Sequence, residues 1–68
     1  MDILLKAKDN VSIPIEGYVI KVVKGWETEA KMVNGIISIK FNADKDDEIY
    51  GIFRKSEVTK FFEIKDGD

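Results

Sequence analysis

Residues 26–41 read Trp26-Glu27-Thr28-Glu29-Ala30-Lys31-Met32-Val33-Asn34-Gly35-Ile36-Ile37-Ser38-Ile39-Lys40-Phe41. Asn34-Gly35 is the residue pair that a type I′ two-residue hairpin prefers, because both central positions need positive φ. A turn there sets Met32 opposite Ile37, Ala30 opposite Ile39 and Thr28 opposite Phe41 on one face. The other face pairs Glu29 with Lys40 and Lys31 with Ser38. One face is mostly apolar and the other carries an opposite-charge pair. A slip of one residue would destroy both features. The rival reading is a helix over residues 26–32, since Glu, Ala, Lys and Met are good helix formers and Asn34-Gly35 can act as a C-cap. That segment is too short to hold a helix on propensity, and the alternation of Trp26, Thr28, Ala30 and Met32 favours a strand.

Working outward, Ile3 to Lys8 reads as a strand closed by Asp9-Asn10. Val11 to Ile15 is extended, and Pro14 inside it points to an edge or a bend. Glu16-Gly17 marks a turn or kink before a strand from Tyr18 to Val23, which stops at Lys24-Gly25. Ile49 to Arg54 is the expected partner of Ile36 to Phe41. Gly51 in its middle signals a bulge or a close backbone approach and leaves this second register open. Ser56 is placed to cap a single helical turn through Val58. Lys60 to Lys65 reads as the last strand, with Asp66-Gly67-Asp68 frayed.

The expectation is an all-β domain over residues 1–68: a small five- to six-stranded barrel with one short helical turn before the last strand. Three segments carry a resemblance to the SH3-like small β-barrel superfold. They are Gly17-Tyr18-Val19-Ile20-Lys21-Val22-Val23, the Asn34-Gly35 hairpin, and Phe53-Arg54-Lys55-Ser56-Glu57-Val58. Barrels of this kind often end in an aromatic strand, a Ser-capped short turn and a final strand. Peptide-binding SH3 domains also carry an Ala-Leu-Tyr-Asp-Tyr stretch, a double Trp and a Ser-Pro-x-Asn-Tyr turn, and none of these occurs here. The resemblance therefore concerns the fold and not polyproline recognition.

Sixty-eight residues suit one domain, and with neither cysteine nor histidine the chain has no disulfide, no Cys/His metal site, no thiol nucleophile and no imidazole base. No apolar run approaches the ~20 residues of a membrane span, and Met1-Asp2 does not open a signal peptide. A cytoplasmic chain with no cofactor is the expectation. Ser12, Ser38 and Ser56 have no base to activate them, so catalysis is not expected.

The net charge of −2 lacks the strongly basic footprint of phosphate-driven nucleic-acid binding. Charge is nevertheless uneven. Asp44-Lys45-Asp46-Asp47-Glu48 holds four acids against one Lys, whereas Phe53 to Phe62 holds Arg54, Lys55 and Lys60 against Glu57. Counted from Asn42, a calcium loop would need Gly and Glu where Asp47 and Phe53 stand, so a solvated hairpin loop without metal is the reading for the acidic run.

Candidate binding residues are Tyr18, Trp26, Tyr50, Phe53, Arg54, Lys55, Lys60 and Phe61. Trp and Tyr are frequent interaction hot spots, and Trp26 serves equally well as the cap of a barrel end. Phe61 and Phe62 cannot both face inward on a regular strand. The leading expectation is a non-catalytic protein-interaction module that binds a protein partner or forms a homo-oligomer. Composition rich in Lys, Ile and Asp suits a low-GC bacterium or its phage, and a small inhibitor of a host protein is one concrete form. The alternative is a nucleic-acid-binding barrel using Lys21, Lys24, Lys31, Arg54, Lys55 and Lys60, which requires those six on one face.

Overall fold

Asn34 and Gly35 both take positive φ, 52° and 77°, as a type I′ turn demands. This is seen in the structure, a computed structural model that describes residues 1–42 and 48–66. The turn joins β4 (Glu27–Val33) to β5 (Ile36–Asn42). Val33 pairs with Ile36, Met32 with Ile37, Lys31 with Ser38 and Ala30 with Ile39, which is the register the turn predicts. The ladder ends there. Glu29–Lys40 and Thr28–Phe41 do not pair, and Thr28, Glu29 and Lys40 line a polar cleft there. Along its other edge β4 pairs with β1 (Asp2–Ala7), Glu29 with Leu4 and Thr28 with Leu5.

Alternation sets the inner face. Ile3, Leu5 and Ala7 from β1, Ala30 from β4, and Ile37, Ile39 and Phe41 from β5 are buried together. β6 (Glu48–Arg54) continues the sheet beyond β5, and β7 (Phe62–Asp66) pairs with β1 on the other side. The order is β6-β5-β4-β1-β7. The chain between β1 and β4 forms a separate hairpin of β2 (Val11–Ile15) and β3 (Tyr18–Val22). Its turn is Glu16-Gly17, again with positive φ at both residues. Val11, Ile13, Ile15, Ile20 and Val22 from this hairpin pack onto the large sheet's core. Pro14 costs no third-strand hydrogen bond, since each strand of a two-stranded sheet is an edge.

The domain is thus all-β, with one short helix before the last strand, as expected. Among the described residues it has seven strands in two sheets rather than five or six, and the barrel is not closed: no ladder among them joins the hairpin to the large sheet. Three local expectations are corrected. Helix α1 spans Lys55–Phe61, so Lys60 and Phe61 are helical and not part of the last strand. Its N-cap is Arg54 with no side-chain bond, not Ser56. Asp66 is not frayed but pairs with Ile3. The expected solvated loop at Asp44–Asp47 lies outside the described residues, whereas Glu48 opens β6 opposite Asn42.

The register that Gly51 left open is regular. Ile36 pairs with Arg54 and the ladder runs without a bulge to Asn42 and Glu48. Gly51 serves close approach instead. A Cβ there would sit 2.5 and 2.7 Å from Phe53 ring carbons and 3.0 Å from Ile15 Cδ1.

Two substitutions test this account. Gly35→Val forces a β-branched residue into positive φ and should destabilise the fold by more than ~1 kcal/mol, read as a lowered denaturation midpoint. Gly51→Ala should cost about 1–3 kcal/mol through overpacking. Combining it with Phe53→Leu, which removes the two ring atoms it strikes, should cost less than the sum of the single changes. Additive costs in that double-mutant cycle would show that the two residues do not meet.

Candidate functional site

β2 is short and α1 has only two turns, so together they leave part of the core's edge open. Between them lies a groove of about 200 Å³. Val11, Ile13 and Pro14 form one wall, Phe53 and the buried Ile39 stand at its base, and Glu57, Val58 and Phe61 form the other wall. Phe61 remains 48% exposed.

A seven-residue helix does not persist on propensity, so α1 depends on its anchors. Val58 is buried in the core. Glu57 in the first turn and Lys60 in the last complement the helix dipole. The Phe62 backbone N–H donates to the Val58 carbonyl as the chain turns extended. Lys8 ties the helix end to β1: its backbone N–H donates to the Phe61 carbonyl at 2.9 Å and its Nζ to the Thr59 carbonyl at 2.8 Å. The helix-to-strand change between Phe61 and Phe62 resolves the paired phenylalanines. Phe62 is buried and Phe61 stays at the groove.

Of the eight candidate binding residues, Phe53 and Phe61 share this groove, Lys55 and Lys60 lie on the helix that forms one side of it, and Arg54 ends β6 on the outward parity of Tyr50 and Ile52. The other three lie elsewhere. Trp26 stacks on Phe41, with ring centroids 5.9 Å apart at 18°, and meets Phe62 edge-on at 6.5 Å. It closes one end of the core. Its position is locked by the tight turn before it, where Gly25 N–H donates to the Ala7 carbonyl and Ala7 N–H to the Trp26 carbonyl. Tyr18 opens β3 beside the Glu16-Gly17 turn. Tyr50 lines the polar cleft on the outer face with Glu29, Ser38 and Lys40.

The six basic residues of the nucleic-acid reading are exposed but do not share one face. Lys21 points away from the core on β3, between inward Ile20 and Val22. Lys31 points away from it on β4, between inward Ala30 and Met32. The core lies between these strands, so the two lysines stand on opposite outer faces.

Sequence reasoning missed the β2 wall and the outward apolar side chains Val33, Ile36 and Ile52. One available signal was Ile36-Ile37: on a strand, two consecutive isoleucines place one outside, as with Phe61-Phe62.

Beside Tyr50, Lys40 Nζ donates to Glu48 Oε1 at 3.0 Å. This hydrogen bond, and then the carboxylate's charge, raise the Lys40 pKa above its ordinary value. A raised lysine pKa in the folded state stabilises below the unfolded value, and that contribution is lost as pH rises through the folded one. Glu48→Gln should return Lys40 toward ordinary lysine titration, as followed by NMR of its side chain. An unchanged titration would exclude Glu48 as the cause.

No family model matches the chain, and no curated protein or solved structure matches it either.

Proposed function

We propose that this chain is a non-catalytic protein-interaction module whose β2/α1 groove receives an apolar side chain from an extended partner segment. The observation that carries this reading is the groove itself, lined by Val11, Ile13, Pro14, Phe53 and Phe61. A concave apolar site with a half-exposed aromatic at its rim is suited to seat an anchor residue. On α1, Lys55 and Lys60 outnumber Glu57, which favours an acidic residue beside the anchor. Such a partner is a peptide segment with one large apolar residue beside Asp or Glu.

Selection from a random peptide display library tests the reading. The expected result is convergence on an apolar residue with acidic neighbours, with affinity falling about tenfold or more in Phe61→Ala. Phe61 is exposed enough that this variant should keep its fold, which a denaturation curve checks. Peptides that fail to converge, or that bind Phe61→Ala equally well, would refute the groove as the site. Lysines that do not share one face and the net charge of −2 argue against the nucleic-acid reading. Micromolar binding to random duplex DNA at ~150 mM salt, weakening as salt rises, would favour it over ours.

A further inference from the structure

We infer that the free edge of β6 pairs with β6 of a second copy of this chain, in an antiparallel register centred on Gly51. This goes beyond the groove and uses a different surface.

The hydrogen-bond parity of β6 follows from two independent observations. Lys55 N–H donates to the Gly35 carbonyl at 2.8 Å, which makes that pair a hydrogen-bonded one in the β5–β6 ladder. The two-residue turn at Asn34-Gly35 makes Val33–Ile36 a hydrogen-bonded pair, so Ile36 and Ser38 face β4 while Ile37 and Ile39 face β6. Both lead to the same result. Ile49, Gly51 and Phe53 direct their backbone groups at β5, and Tyr50 and Ile52 direct theirs outward. β6 is the last strand of the sheet, and no described residue pairs with that edge.

Protein edges are normally blunted by an inward charge, a lysine, a proline or a bulge. The run Ile49-Tyr50-Gly51-Ile52-Phe53 has none of these, and its ladder is regular. On the outer face Ile52 is 71% exposed and Tyr50 57%. Ile36, also exposed, stands opposite Arg54 on the neighbouring strand, diagonal to Ile52.

Charge selects the occupant. Glu48 and Arg54 lie three residues either side of Gly51, on the same outward parity. Antiparallel pairing about Gly51 therefore places Glu48 of each copy opposite Arg54 of the other. It also places Tyr50 opposite Ile52, twice, with their outward backbone groups facing each other. The contact is self-complementary, as a two-fold interface must be. A parallel pairing in register would instead oppose like charges. Glu48 already accepts from Lys40, and a carboxylate has capacity for a second donor.

Sedimentation of the full chain across concentrations, with amide hydrogen exchange, tests the inference. The expected result is a monomer–dimer equilibrium in which protection of the Tyr50 and Ile52 amides rises with concentration. Those of Ile49, Gly51 and Phe53, already bonded to β5, should not change. Arg54→Glu should weaken the dimer about tenfold through two repulsive pairs, and Glu48→Arg combined with Arg54→Glu should restore it. Denaturation midpoints establish that each variant is folded. A chain that stays monomeric to about 1 mM would overturn the inference, as would a dimer indifferent to the charge swap or one that leaves Tyr50 and Ile52 unprotected. Dimerisation elsewhere on the surface would appear as that last outcome.

Discussion

Two adjacent residues in positive φ are strained for most side chains, and the Asn34-Gly35 turn accepts that conformation at little cost. Its consequence spreads through strand parity. With the turn at these two residues, Ile37, Ile39 and Phe41 fall on one face of β5, and all three are buried. A turn displaced by one residue would carry them to water and bring Ser38 and Lys40 inward. Because β5 lies between β4 and β6, the same parity passes to both neighbours. It buries Ala30 on one side and Ile49 on the other. It also decides which backbone groups of β6 are left at the edge.

The second constraint is coverage. A chain this short must bury both its sheet face and its helix with few residues. The β2–β3 hairpin supplies alternate apolar side chains over the large sheet, and α1 supplies Val58. Gly51 permits Phe53 and Ile15 to come close over the sheet. Trp26 fills the far end against Phe41 and Phe62. What these elements do not reach is the β2/α1 groove, so the proposed binding site is a part of the core's margin that they leave uncovered.

The two proposed surfaces differ in chemistry. The groove is concave, and its selectivity would come from the anchor's shape and the basic helical side. The β6 edge is a bulge-free strand, and its affinity would come from main-chain hydrogen bonds with charges setting the register. Both depend on β6: Phe53 points into the groove, while Tyr50 and Ile52 point to the opposite face.

Local features were legible in the residues themselves. Turn chemistry at Asn34-Gly35, period-2 alternation, the all-β class and the helical turn before the last strand depend on neighbours a few positions apart. So did the fact that Phe61 and Phe62 must part. The helix was read too short, and Ser56 was read as its cap, because the contacts that extend it come from Lys8 and from the core, remote in sequence. That Trp26 stacks on Phe41 and meets Phe62 edge-on was equally out of reach, since those residues are remote in sequence. The division of the lysines between faces, the groove and the free edge of β6 belong to tertiary structure alone. Each depends on which strands become neighbours, and that choice is made by burying apolar faces across the whole chain, not by any one segment's pattern.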